Sequence, residues 1–441
     1  MAEDLLEPTA STDPPVLDLE RVDPAVAVNA LDEVTAVWAA PTEPTLIAVG
    51  RSRTITGIGE DRFETVRTTA RDLFESLGEY PRIARPRLFG GASFFPETTL
   101  EPPWTDFDPA AFTLPVQQVV ITADRTLLSG VDTTREEVAR TARTLREATR
   151  LDEPSQLVTG PDVGRSSGTA TLRTDPETWK SRVGSVTRRI RDTGLEKAVL
   201  AAAADLPLEA DLDLGAVLEA LRDRYPGCYR FAFQGRDGNE STATFFGASP
   251  ERLVGKRGNR LETEALAGTV RRGDDEVEDR EHIRHLETDD TIGREHAVVA
   301  DRIREQLAGV GARVDVGERE VHSLANVHHL RTPIAARLPK ERHVLELVEL
   351  LHPTPALGGH PSGPAQELIA AVEPTARGWY GGPVGWFDAA GDGTFAVGIR
   401  SAVARDRQAT LFAGNGIVAG SDPETEYREL DAKFEPIRGV L

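Results

Sequence analysis

Arg252-Leu-Val-Gly-Lys-Arg-Gly-Asn-Arg-Leu-Glu-Thr-Glu-Ala265 is the stretch that decides the fold class. Residues 252–256 and 260–265 are short strand-like runs, and Arg257-Gly258-Asn259 between them has the composition of a tight β connection, so an antiparallel hairpin is expected. Upstream, residues 197–203, 228–234 and 242–247 read as strands, and residues 176–193 and 214–224 as helices. Downstream, a charged helical region runs to residue 309, its second half carrying Val298, Val299, Ile303 and Leu307 on one face. The remainder alternates strands with one more helix, residues 365–372. Nearer the amino terminus, residues 45–49 and 116–122 are strand-like, while residues 63–77 and 134–151 carry helical spacing. Helices interleaved with antiparallel strands, and no repeat of fixed period, predict an α+β fold.

The 441-residue chain is 39% hydrophobic, enough for a sizeable core, and it has no uncharged apolar run near the ~18 residues that cross a bilayer. The acidic, Pro-containing start lacks a secretory pattern, so cytoplasmic residence is expected, and the lone Cys228 allows no internal disulfide. A net charge of −21 argues against nucleic-acid and anionic-membrane partners. With only Lys180, Lys197, Lys256, Lys340 and Lys433 as lysines, the acidic, arginine-rich composition points to salt adaptation. Residues 1–20 are expected to form an acidic mobile tail, 21–153 an amino-terminal α/β subdomain, 154–168 a linker and 169–441 the larger carboxy-terminal domain.

Candidate chemistry follows the same order. Lys197 opens an apolar strand; it is either an edge residue snorkelling to solvent or an amine retained for its ability to lose a proton. Glu251 follows Ser249-Pro250 as a strand ends, where it is either an exposed turn residue or a buried general acid. Gly268 and Thr269 offer backbone amides to a carboxylate. Glu295 lies on an amphipathic helix, and Glu426, Glu429 and Lys433 share a helical face, as a solvated ladder or as part of a hard-oxygen Mg²⁺ site.

Taken in order, these stretches resemble the chorismate-utilising family, which includes isochorismate, salicylate, anthranilate and aminodeoxychorismate synthases. The resemblance runs from Lys197 to Lys433 through Gly247-Ala-Ser-Pro-Glu251, Ala265-Leu-Ala-Gly-Thr269, His329-Leu-Arg-Thr332, His352-Pro-Thr-Pro-Ala-Leu-Gly-Gly359, Tyr380-Gly-Gly-Pro-Val-Gly385, Gly398-Ile-Arg400 and Phe412-Ala-Gly-Asn-Gly-Ile-Val418. Upstream, Leu88-Phe-Gly-Gly-Ala-Ser-Phe-Phe95 extends it. It implies a sandwich of two antiparallel sheets with helices outside. It further implies Lys197 as the base for water attack at C2, Glu251 as the acid for the C4 hydroxyl, and Glu295 and Glu429 as Mg²⁺ ligands with Glu426 nearby. Arg400, Lys433 and the Gly414 amide would hold the enolpyruvyl carboxylate, Gly268 would add backbone contact near the metal-bound ring carboxylate, and His329 would line the ring. The sequence departs from the family pattern at Ala201-Ala-Ala, where an arginine is common, and at Thr291-Ile-Gly. Ala356 stands where the aminating and salicylate-forming members typically carry threonine, which implies a reaction that stops at isochorismate and needs no amidotransferase subunit, with salicylate synthase, and after it anthranilate or aminodeoxychorismate synthase, as the alternatives. A catalytically silent chorismate-binding protein is the non-enzyme alternative, disfavoured by retention of both Lys197 and Glu251.

Overall fold

The computed structural model describes residues 15–97, 101–151, 169–236, 242–325 and 327–441. The expected hairpin is present: Arg252–Arg257 and Arg260–Arg271 pair antiparallel around Gly258, whose φ of 58° suits a residue without a Cβ. It lies inside the smaller of two antiparallel sheets, whose strands run in the order Arg313–Val316, Val327–Arg337, Arg260–Arg271, Arg252–Arg257, Gly393–Val397, Pro383–Asp388, Arg87–Ala92, Ala110–Leu114 and Arg53–Gly57. The larger sheet begins with Val16–Glu20, crosses through Val34–Ala39, Tyr229–Gln234 and Thr244–Ser249, and ends on Gln408–Val418, Lys197–Pro207 and Gly359–His360. The α+β expectation therefore holds.

Three apolar cores separate the layers. One, rich in aromatics (Trp38, Phe89, Trp104, Phe231, Phe245, Trp379, Trp386, Phe412), joins the facing sides of the two sheets. The others lie between each sheet and its helices: Val183, Val186, Leu221 and Phe434 cover the larger sheet, and Val66, Val299, Ile303 and Val348 the smaller. Both sheets draw strands from each side of the expected 21–153 and 169–441 division, because Val34–Ala39 pairs with Tyr229–Gln234 and Arg87–Ala92 pairs with Pro383–Asp388.

Three expectations need correction. The stretch expected as an acidic tail to residue 20 includes a strand: Val16–Glu20 is an edge strand paired with Arg125–Gly130, its alternating V-L-D-L-E burying Leu19. Residues 1–14, and the linker at 154–168, lie outside the described residues. The single charged helical region is two helices, Glu276–Thr288 and Asp290–Gly309, broken at Asp289, which caps the second by accepting from the amides of Thr291 and Ile292 at 2.9 Å each. An additional short helix, Val344–Leu351, precedes Ser362–Val372 and buries Val344, Leu345, Leu347, Val348 and Leu351.

Candidate active site

Strand parity aims the base candidate. Along Lys197–Pro207, Ala198, Leu200, Ala204 and Leu206 pack toward the helices, whereas Ala201 and Ala203 face the core between the sheets. Lys197 shares that inward parity. Its side chain is only 12% exposed, and its ammonium is ion-paired with Glu295, carried by the helix Asp290–Gly309. On the neighbouring strand Gly416 leaves the space the lysine fills, since a Cβ there would stand 2.6 Å from Lys197 Cε.

Glu251 is buried where Thr244–Ser249 gives way to Arg252–Arg257. Its carboxyl is pushed up to about 8, first by burial and then by the like charge of Glu264; the Thr354 hydroxyl and the Lys197 ammonium oppose the shift. Burial wins because the opposing hydrogen bond, Thr354 Oγ1 to Glu251 Oε1, is long at 3.4 Å. Glu264 is held by the Arg252 amide at 2.9 Å and by Arg331 Nε at 2.6 Å.

A cationic and polar wall faces these groups. Gly268 is a bulge in Arg260–Arg271, with φ 75° and so close to helix Asp290–Gly309 that a Cβ would meet Ile292 Cγ2 at 2.6 Å. Thr269 Oγ1 lies 2.9 Å from His329 Nδ1, and Arg400 Nη2 lies 3.1 Å from His329 Nε2. Burial, with the neighbouring Arg400 charge, drives the His329 imidazolium well below its usual range, leaving a neutral ring. Arg400 adopts φ 48°, and its buried Nη1 has no hydrogen-bond partner among the described residues. A buried guanidinium nitrogen without an acceptor suits an incoming carboxylate oxygen.

Lys433, on the helix Pro423–Arg438, donates to Gly414 O at 3.2 Å and to Asn415 Oδ1 at 3.0 Å, with Glu429 at 3.9 Å. Asn415 in turn donates to Glu426 Oε2 at 2.8 Å, so one buried amide fixes both the lysine and a carboxylate. Glu429 is pushed up by burial, Lys433 pulls the other way, and Glu426 and Glu295 add like-charge repulsion. Glu429 thus feels both Glu426 and Glu295 across the site. Among the described residues no group of three or more His, Cys, Asp or Glu side chains is closed as a metal cage. The donor chemistry instead fits a hydrated hard cation, which needs only one or two protein carboxylates and would relieve the mutual repulsion.

Ala356 is partly buried in a turn closed by Leu357 N and Gly358 N on Thr354 O. That loop touches both chemical candidates: Thr354 bonds Glu251, and Gly359–His360 pairs with Lys197 and Ala198. Direct contacts or charge interactions join Lys197, Glu251, Gly268, Thr269, Glu295, His329, Arg400, Gly414, Glu426, Glu429 and Lys433 into one network. Sequence reading did not single out Glu264, Thr354, Asn415 or Gly416. Thr354, Asn415 and Gly416 lie inside quoted motifs, but each acts only on a residue distant in sequence.

A family model described as "Chorismate binding enzyme" matches residues 15–441. The chain is 34% identical over 433 residues to the salicylate biosynthesis isochorismate synthase of Pseudomonas aeruginosa, covering 96% of this chain and 89% of that one. It is 32% identical over 392 residues to the isochorismate synthase MenF of Bacillus subtilis, covering 86% and 80%. The solved structure of MenF, the menaquinone-specific isochorismate synthase from Escherichia coli, superposes with a TM-score of 0.78 at 26% identity, covering 99% of this chain and 96% of that one.

Proposed function

The chain belongs to the chorismate-binding enzyme family, and from that premise we propose that it is an isochorismate synthase, an isomerase that adds water at C2 of chorismate as the C4 hydroxyl departs. The carrying observation is a buried carboxyl, Glu251, that keeps its proton up to about 8 within charge range of Lys197. In the proposed reaction Lys197 takes a proton from the attacking water, and Glu251 gives its proton to the C4 oxygen, which leaves as water. One water enters and one departs, so the product is an isomer of the substrate. As the ammonium paired with Glu295, Lys197 has no lone pair, so it must give up a proton before it can take one from the attacking water.

Arg400 and Lys433, with the Gly414 backbone, are assigned to the enolpyruvyl carboxylate, and Gly268, Thr269 and His329 to the ring and its carboxylate. Glu295 and Glu429, with Glu426 nearby, are assigned to Mg²⁺, which when bound would neutralise these carboxylates and attract the ring carboxylate. Water rather than ammonia is the nucleophile, so no amidotransferase subunit is required. We assign the product to menaquinone synthesis in the cytoplasm of a salt-adapted organism, supported by the menaquinone-specific structural relative and the acidic, lysine-poor composition. Restored growth of a menaquinone auxotroph lacking its own isochorismate synthase tests the pathway.

Turnover of chorismate in ¹⁸O-water tests the chemistry. At early times isochorismate should carry one solvent oxygen at C2; unlabelled isochorismate would exclude water addition.

A further inference from the structure

The strand that carries Lys197 has an incomplete edge. Lys197 and Ala198 pair with Gly359–His360, and Ala204 and Asp205 pair with Thr171–Leu172, but among the described residues no strand covers those between. Three of their edge-facing groups are nevertheless bonded: Ala203 O accepts from Arg173 N at 2.9 Å, Ala201 N donates to Glu373 Oε1 at 2.7 Å, and Val199 O accepts from Arg377 Nη2 at 2.5 Å. Glu373 and Arg377 therefore stand in for the missing strand with side chains.

The two form a buried, two-pronged ion pair, with Arg377 Nε on Glu373 Oε2 at 2.8 Å and Nη2 on Oε1 at 2.6 Å, and side chains 2% and 6% exposed respectively. The remaining arm, Nη1, donates to Leu357 O at 3.2 Å, and the guanidinium stacks 4.2 Å from the Phe94 ring. Leu357 follows Ala356, in the loop whose Thr354 bonds Glu251. One guanidinium thus spans the strand of the base and the loop beside the acid.

Resting on the isochorismate synthase reading, we propose that Arg377 and Glu373 are positioning residues for the reaction: they fix the Lys197 strand against the 354–359 loop and so set the geometry in which the ring meets base and acid. Neither group is offered to the substrate. Their loss acts on the chemical step and on the fate of bound product, more than on binding of the carboxylates held by Arg400 and Lys433. Lysine at 377 preserves the charge beside Glu373 but lacks the planar fork that reaches two carbonyls at once. Glutamine at 373 keeps an acceptor for Ala201 N and gives up the ion pair.

The test measures kcat, KM for chorismate and pyruvate released per isochorismate in full-length wild type, Arg377→Lys and Glu373→Gln, with thermal melts to establish folding. Arg377→Lys should lose about 10–100-fold in kcat, as expected for small misplacements of reacting groups, with KM within about 3-fold and a raised pyruvate share. Glu373→Gln should move in the same direction by less. A merely structural role would lower the melting temperature and leave kcat and the product ratio of folded protein unchanged, and that result overturns the proposal. If Arg377→Lys does not fold, Glu373→Gln decides on the same readouts, a wild-type kcat and product ratio again overturning it. Wild-type protein that forms no isochorismate would instead refute the functional reading, a result distinct from wild-type-like variants.

Discussion

At the residue scale the pair Glu251 and Lys197 carries the chemistry. Glu251→Gln and Lys197→Ala should each lower kcat by about 10²–10⁴-fold, the usual worth of a general acid or base; near-normal turnover in either removes that residue from the mechanism. Glu251 also links activity to pH. Its folded carboxyl titrates at about 8 against an ordinary 4.5. The stabilisation of the protonated, buried form is therefore fully present below 4.5 and is lost as pH rises to about 8. The rate kcat/KM should fall as pH passes that upper value, and Glu251→Gln, which cannot ionise, should gain in melting temperature over wild type through the same window. A gap that does not change with pH would contradict a buried, protonated acid. At Ala356, threonine adds a methyl and a hydroxyl beside the acid's loop, so Ala356→Thr should lower isochorismate formation, read by chromatography, and raise pyruvate release, read in a lactate dehydrogenase couple. Rarity of a residue type, by contrast, is a weak guide: Lys256 is as rare as Lys197, yet it is 2% exposed and bonded to Asp392 at 2.7 Å and Gly391 O at 3.1 Å, an anchor for the turn before Gly393–Val397.

At the scale of elements, legibility followed how local the determining physics is. Helices with a clear cap and one apolar stripe were readable: Pro176–Asp192 starts behind Asp175, whose side chain accepts from the Thr178 amide at 3.0 Å, and Leu214–Arg224 starts behind Asp213 in the same way at 2.9 Å. Val344–Leu351 was not, because an eight-residue V-L-E-L-V-E-L-L is apolar enough to suit a strand or a buried helix. Val16–Glu20 was hidden by the acidic composition around it, although its pairing with Arg125–Gly130 depends on alternation alone. The motif residues of the site were legible through resemblance, whereas Glu264 and Asn415 required the fold to bring them to Glu251, Glu426 and Lys433. The break at Asp289 makes a further prediction. Asp289→Ala removes the cap of the helix that delivers Glu295, which should cost about 1 kcal/mol of stability and raise the Mg²⁺ concentration needed for half-maximal activity. An unchanged Mg²⁺ titration would show that the cap does not hold the carboxylate in place.

At the scale of the whole molecule, the sheets and the charge set the behaviour. Each sheet joins a block of strands from the amino-terminal part to a block from the carboxy-terminal part, and each of the three apolar cores draws residues from both, so neither part has a core of its own. Tryptophan fluorescence and far-ultraviolet circular dichroism should therefore report one coincident unfolding transition; two separated transitions would mark independent units. With a net charge of −21, molar KCl should raise the melting temperature by screening self-repulsion, and an unchanged value would count against salt adaptation. The central claim is the reaction itself, water for hydroxyl with the enolpyruvyl group retained. Wild-type protein incubated with chorismate and Mg²⁺ should accumulate isochorismate by chromatography, with pyruvate appearing no faster than in a no-enzyme control of isochorismate decay; stoichiometric pyruvate, or no isochorismate at all, would contradict it.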